Sequence, residues 1–359
     1  MPAASAPTPL VPVQLAPDEP AVWCKLEYLH PSGSTKDRIA QFILDKAGRE
    51  GRLAPGALVV EASSGSTSIA FALACAQRGL RFAAVMPEGV SAERVLLIRA
   101  YGGEVRVTPR AAGLAGALAE AERLAAELGA FYPRQFENPD NAAAHRTGTA
   151  RELLAQLGKQ LPGGAVDAVV SGVGTGGTLV GLHQGFVEHG HRPTPVVARP
   201  VDRGSDGRAG GGARVGVGAT LNADSVAPEC SSVVAAGGTS AQGSVPDDAT
   251  FSGTFSGRVP GVVEGMSAIF AAYRPADLVQ VDVPAGEVLA VTRQLHRLGF
   301  PVGPSSGLNH RAAVLAARRL AAERGPLGAV VTVFPDRVER YFSTELFREL
   351  RDRGVPPAA

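Results

Sequence analysis

The chain has 359 residues, 45% of them hydrophobic and 19% charged, which is long enough for two domains of ordinary size and apolar enough for a large core. A formal net charge of +1 provides no field to draw nucleic acid or an anionic membrane, so neither is an expected partner. Cys24, Cys75 and Cys230 are scattered without metal-ligand spacing, so no metal is expected, and an odd, sparse count suits a reducing, cytoplasmic compartment. Residues Met1 to Leu10 are rich in alanine and proline without a basic or apolar segment, which does not read as a signal peptide, and no apolar run approaches membrane-spanning length.

In chain order, Ala21 to Tyr28 reads as a buried strand. Ser32-Gly33-Ser34-Thr35-Lys36-Asp37-Arg38 follows, and then Ile39, Ala40, Phe42, Ile43 and Ala47 recur at helical spacing. Lys36 therefore stands where a strand and a Gly/Ser turn give way to a helix N-terminus. The helix dipole disfavours a second positive charge there, which lowers the lysine pKa toward the neutral amine that Schiff-base chemistry requires. The alternative is a solvated lysine in a first turn. Ala57 to Glu61 is a strand ending at Ala62-Ser63-Ser64-Gly65-Ser66-Thr67, and a helix carrying Ile69, Ala70, Leu73 and Ala74 comes next. Arg81 to Met86 is a strand, Ser91 caps a helix running through Ala100, Glu104 to Val107 is a strand and Leu114 to Leu128 a helix.

The second half repeats the rhythm. Ala165 to Val170 is a strand, Ser171 to Thr178 a glycine-rich turn, and a helix starts at Leu179. Consecutive amides at such a helix start can cradle a phosphate, although the same turn could simply connect strand to helix. It lacks the Gly-Lys-Ser/Thr ending of a Walker loop and the acid of a dinucleotide fingerprint. Leu278 to Val283 is a strand, Gly286 to Leu298 a helix, Gly303-Pro304-Ser305-Ser306-Gly307 opens a helix through Leu320, and Ala329 to Phe334 is the last strand. From about Val201 to Gly257 the composition is Gly/Ala/Ser-rich with little apolar periodicity, which reads as an insertion outside the packed core. Alternating strands and helices imply mostly parallel sheets covered on both faces, with ligands at the C-terminal strand ends. The expected organisation is an arm over 1–20, an α/β domain over 21–150 and a second over 151–350 that contains the insertion.

Six motifs occur in one order: Gly-Ser-Thr-Lys36-Asp-Arg, Ser-Ser-Gly-Ser-Thr, Gln135-Phe-Glu-Asn-Pro with His145, Gly-Thr-Gly-Gly-Thr, Ser305-Ser-Gly, and Pro-Asp-Arg-x-Glu-Arg-Tyr. Together they resemble the cysteine synthase and cystathionine β-synthase family. The resemblance runs from Thr8 to about Phe347, except over 201–257. It implies fold type II of the pyridoxal 5′-phosphate (PLP) enzymes, tryptophan synthase β-like, with two three-layer α/β domains and a homodimer.

The resemblance also implies roles. Lys36 would hold PLP as an internal aldimine and carry the α-proton of the substrate. Gly174, Thr175, Gly176, Gly177 and Thr178 would bind the cofactor phosphate, and Ser305 the pyridine nitrogen. A neutral serine at that nitrogen suits β-elimination better than transamination. Ser63, Ser64, Gly65 and Thr67 would bind the substrate carboxylate, with Gln135 joining on closure. These residues could equally be a helix cap and a surface amide. His145 reads as structural as readily as functional and is given no catalytic role. Gly265, in Val263-Glu264-Gly265-Met266-Ser267, falls in a segment resembling the family's loop beside the substrate.

Three departures stand out. Ser66 replaces a usual asparagine that contacts the cofactor 3′-oxygen, Ser68 a usual glycine, and Arg199-Pro200 a usual Glu-Pro pair. The implied reaction is β-replacement on an activated L-serine, O-acetylserine or O-phosphoserine, by sulfide or a related thiol through an α-aminoacrylate. Alternatives are a β-eliminating lyase (cysteine desulfhydrase or serine dehydratase) and a catalytically weak regulatory relative. Arg258 could hold the phosphate of O-phosphoserine, or be solvated or paired in its loop.

Overall fold

The structure is a computed structural model and describes residues 6–63, 65–161, 163–202, 267–273, 275–352 and 354. Arg258, Gly265, Ser64 and the expected insertion beyond residue 202 lie outside the described residues. In chain order the strands are β1 (Leu10–Val13), β2 (Val22–Lys25), β3 (Leu58–Ala62), β4 (Arg81–Pro87), β5 (Glu104–Thr108), β6 (Val166–Gly172), β7 (Thr194–Val201), β8 (Val279–Pro284) and β9 (Ala329–Val333). The helices are α1 (Lys36–Arg49), α2 (Ser66–Ala76), α3 (Ala92–Ala100), α4 (Gly113–Leu128), α5 (Asp140–Ala144), α6 (Ala150–Gln160), α7 (Gly177–Glu188), α8 (Ala268–Ala271), α9 (Ala285–Arg297), α10 (Pro304–Arg324) and α11 (Arg348–Asp352).

Two sheets result. The larger runs β1-β2-β9-β6-β7-β8 and is parallel except for the antiparallel β1–β2 pair, and the smaller is the parallel β3-β4-β5. The central strand β9, Ala-Val-Val-Thr-Val, is buried along its whole length, as a strand covered on both faces must be. On one face of the large sheet Val170, Val196 and Ala198 pack with Val288, Leu308 and Ala312 of α9 and α10. On the other, Val169 and Val331 meet Leu153, Leu182 and Phe186 of α6 and α7. The small sheet is enclosed the same way, by α1 and α2 on one side and α4 on the other. The fold class is therefore the expected α/β arrangement of three-layer units.

Details differ from the sequence reading for local reasons. Residues 10–25 join the large sheet through β1 and β2, so the division drawn at residue 150 does not coincide with the division between sheets. The first strand stops at Lys25 because Glu27–Leu29 turns as a 3-10 segment. Ser91 occupies the N-cap position of α3, yet its hydroxyl donates to the Arg340 carbonyl at 3.3 Å instead of capping the helix. Among the described residues no helix is long and apolar enough to cross a membrane.

Candidate active site

A single cleft at the C-terminal strand ends collects side chains from both sheets, and Lys36 lies in its wall. Three contacts fix the turn before α1. The Asp37 carboxylate accepts from the Ser32 amide at 2.8 Å, the Thr35 amide donates to the Pro335 carbonyl at 2.8 Å, and the Arg340 guanidinium donates to the Gly33 carbonyl at 2.9 Å. Beneath the turn, buried Glu27 accepts from Thr35 Oγ1 at 3.1 Å and from Arg38 Nε and Nη2 at 2.6 and 2.7 Å. Burial alone would raise the Glu27 pKa, but the Arg38 guanidinium beside it holds the carboxyl well below its usual range.

Lys36 keeps part of its surface open to the cleft but is densely surrounded, and burial pushes its pKa below that of a free lysine. The charges of Asp336 and Glu27 oppose the shift. The direction matches the sequence expectation, with burial as its largest cause. The other lysines are occupied or remote. Lys25 pairs with Glu152 at 2.8 Å, Lys46 with Asp140 at 2.7 Å, and Lys159 is exposed on α6. Lys36 makes no ion pair or side-chain hydrogen bond among the described residues.

Across the cleft, β6 runs into the Gly174–Thr178 turn at the start of α7. The first amide bonded back into that helix is Val180, to the Gly176 carbonyl at 3.0 Å, so the preceding amides lack main-chain partners among the described residues. Gly176 holds φ +78°, a left-handed conformation that turns the backbone into the cradle. Gly177 permits close approach: a Cβ there would stand 2.0 Å from Asn141 Oδ1. Behind the turn, Thr178 Oγ1 lies 3.2 Å from His145 Nε2, while His145 Nδ1 lies 2.9 Å from Thr149 Oγ1. Burial pushes the His145 pKa down to about 3, so the imidazole is neutral and supports the turn from outside the cleft.

The third wall is the β3–α2 turn. Ser63 Oγ accepts from the Gly65 amide at 3.0 Å, and Thr67 Oγ1 donates to Gln135 Oε1 at 2.6 Å. Gln135 Nε2 donates to the Ala62 carbonyl at 2.7 Å, so Gln135 already stands against the turn without any closure. Its own carbonyl accepts from Asn141 Nδ2 at 2.8 Å, and the same nitrogen reaches Thr175 Oγ1 at 2.9 Å. One asparagine thus joins the β3–α2 turn to the glycine-rich turn. Ser66 donates to Asp336 Oδ2 at 3.2 Å, so the residue that replaces the usual asparagine is held from across the cleft. Ser68 is fully buried with no partner for its hydroxyl among the described residues, and nothing in the structure explains that substitution. Arg199 lies within β7 and forms a two-pronged pair with Asp282 of β8, at 2.9 and 2.8 Å.

Ser305 enters the cleft from the first turn of α10, and its hydroxyl has no hydrogen-bond partner among the described residues. The cleft therefore gathers Lys36, Ser63, Ser66, Thr67, Gln135, Gly174, Thr175, Gly176, Thr178 and Ser305. Gly65 and Gly177 are not among the residues that line it. Sequence reasoning assigned no role to Asp336, Tyr341, Arg94 or Asn309. Asp336 and Tyr341 belong to the quoted Pro-Asp-Arg-x-Glu-Arg-Tyr motif, the one signal available for them. Asp336 accepts from Tyr341 Oη at 2.6 Å. Asn309 bridges β6 and β9, accepting from Gly172 N and donating to the Val333 carbonyl. Arg94 lies over the Tyr341 ring at 5.3 Å.

PLP needs an amine that can be neutral, a cradle for a phosphate dianion and a polar group for its ring nitrogen. The cleft offers a lysine with a lowered pKa, a turn of unpartnered amides whose glycines leave room for a phosphate, and an unpartnered serine hydroxyl, so its residues fit that group. Such a site on parallel α/β units defines a PLP-dependent enzyme of fold type II. The family model for pyridoxal-phosphate dependent enzymes matches residues 3–207, and the chain belongs to that family. A cysteine synthase of Staphylococcus aureus (strain Mu50 / ATCC 700699) is 34% identical over 342 residues, covering 95% of this chain and 94% of that protein. The crystal structure of an O-acetylserine dependent cystathionine beta-synthase from Helicobacter pylori is similar with TM-score 0.72 and 27% identity, covering 95% of this chain and 96% of that one. O-Acetyl serine sulfhydrylase isoform 3 from Entamoeba histolytica gives TM-score 0.70 and 26% identity, covering 99% and 91%.

Proposed function

We propose that this enzyme replaces the β-substituent of O-acetylserine with sulfide or a related thiol, giving cysteine or an analogue. The observation that carries the reading is the placement of Lys36, an amine without an ion pair, in one cleft with the glycine-rich cradle and the neutral hydroxyl of Ser305. The activities named for the relatives support it over elimination alone and over a regulatory role.

Lys36 and Ser305 would hold the cofactor together with the amides of Gly174, Thr175, Gly176, Gly177 and Thr178. When bound, it supplies a conjugated system that accepts the electron pair left at the substrate Cα. The substrate carboxylate would lie at the β3–α2 turn, where Ser63 and Thr67 offer hydroxyls and the N-terminus of α2 offers amides and positive potential. Lys36 Nζ takes the Cα proton. Its burial keeps a neutral fraction of amine available, and the nearby Asp336 charge steadies the ammonium that then forms. After the acetate has left and the thiol has added at Cβ, the same nitrogen returns the proton to Cα. Ser64 and Gly265 belong to this proposed substrate site on the resemblance alone. The family also supports a homodimer, and the sparse cysteines a cytoplasmic setting.

Product analysis tests the reading. Purified enzyme given O-acetylserine and sulfide should form cysteine and acetate in equal amounts. Pyruvate and ammonia without cysteine would contradict it.

A further inference from the structure

Glu61 is the penultimate residue of β3, fully buried directly beneath the β3–α2 turn. Its carboxyl has two main-chain partners: Oε1 accepts from the Ala62 amide at 2.9 Å and Oε2 from the Gln135 amide at 3.2 Å. No basic side chain touches it among the described residues. Arg134, whose charge reaches Glu61, is paired instead with Glu122 at 2.6 Å and Glu137 at 3.3 Å. Two further titratable groups lie on the facing segment: Tyr132, whose pKa is raised by burial and by Glu61, and Glu137, whose charge acts on Glu61. The strand therefore buries an acid without a counter-ion beside a turn read as the receptor of a substrate anion.

Gln135 makes this placement consequential. Its amide is bonded to Glu61, its side chain to Ala62 and Thr67, and its carbonyl to Asn141, which continues to Thr175. Whatever fixes the Gln135 main chain fixes both turns. We propose that Glu61 is a positioning residue for the substrate: uncharged, it pins Gln135 to the end of β3 and leaves the Ser63–Thr67 turn free of a competing anion. The proposal rests on the reading that this turn receives the substrate carboxylate.

The charge state follows from the surroundings. Burial disfavours the carboxylate and the Glu137 charge adds to that, while the two amide bonds and the Arg134 charge oppose burial without cancelling it, so the carboxyl is pushed up to about 8. Below that pH the neutral acid holds. As pH rises through it, an anion forms a few residues from the bound carboxylate, in a pocket of low dielectric, and the two repel. Substrate affinity must then fall.

The test is a titration of the holoenzyme with L-alanine, which has an α-carboxylate but no β-leaving group, followed by the change in cofactor absorbance between about pH 6.5 and 9.5. Wild type, Glu61→Gln and Thr67→Ala are compared. The ligand's own amino group titrates identically in all three, so the ratio of dissociation constants isolates the protein. The wild-type to Glu61→Gln ratio should rise by about fivefold or more across this range, as expected for a like-charge pair in a buried site. Glu61→Met makes the same prediction should the glutamine variant not fold. Parallel profiles with a weakened Thr67→Ala overturn the role of Glu61 alone. An unchanged Thr67→Ala removes the carboxylate reading and the proposal with it.

Discussion

Gly177→Ala probes the cradle at the point of closest approach. A methyl group there would stand 2.0 Å from Asn141 Oδ1 and 2.5 Å from its Cγ, far inside contact distance. Either Asn141 rotates away or the start of α7 moves. Asn141 is only 1% exposed and donates to the Gln135 carbonyl at 2.8 Å and to Thr175 Oγ1 at 2.9 Å. Losing two buried hydrogen bonds and leaving their acceptors unpaired costs about 2–4 kcal/mol. If that strain falls on the state with the cradle intact, cofactor affinity should drop by about 30- to 1,000-fold. The assay titrates apoprotein with PLP, following absorbance or the fluorescence of Trp23, the chain's one tryptophan. Gly158→Ala is the control, since a Cβ on that face of α6 meets nothing within 4 Å. Unchanged cofactor affinity in Gly177→Ala, or an equal loss in Gly158→Ala, would refute the placement of the phosphate at this turn.

Arg38→Ala leaves the buried Glu27 carboxylate without its two-pronged partner and should lower stability by about 3–5 kcal/mol in urea unfolding of the apoprotein; a loss below about 1 kcal/mol would show that the pair is dispensable. Glu61→Gln should change the pH dependence of stability. The folded pKa of Glu61 is raised to about 8, so its stabilising protonation is complete below the unfolded carboxylate value and lost as pH rises to 8. At about 1.4 kcal/mol per unit, the variant should gain up to roughly 5 kcal/mol on wild type across that window, and a constant difference would contradict the burial argument. Asp336→Asn removes the acid whose charge raises the Lys36 pKa. Amine-reagent labelling of Lys36 in the apoprotein should therefore titrate at lower pH in the variant, and a shift to higher pH would reverse the inferred electrostatics.

Much of the scaffold could be read from periodicity. The strands at Leu58–Ala62, Arg81–Pro87, Val166–Gly172 and Ala329–Val333 are β-branched or alanine-rich runs ended by turn residues, and their helices carry regular apolar spacing. Lys36 is marked in the sequence by its electrostatically odd place at a strand-to-helix turn and by the order of the six motifs around it. Other features are set by partners distant in sequence. The pairing of β2 with β9 depends on residues about 300 positions away, which no local pattern encodes. Ser91 looked like a helix cap, but the Arg340 carbonyl takes its hydroxyl. The burial that lowers the Lys36 pKa is tertiary and is not visible in the sequence around it. Asn141, Glu61 and Asp336 acquire meaning only when the β3–α2 turn, the glycine-rich turn and the segment after β9 converge on one cleft.

Attachment of the cofactor to Lys36 is the central requirement of the proposed chemistry. Borohydride reduction of the holoenzyme, followed by proteolysis and mass spectrometry, reads it directly. The chain's lysines are Lys25, Lys36, Lys46 and Lys159, so the outcome is unambiguous. A reduced pyridoxyl phosphate adduct is expected on the peptide containing Lys36, absent from Lys36→Ala. An adduct on Lys25, Lys46 or Lys159, or one that persists in Lys36→Ala, would contradict it.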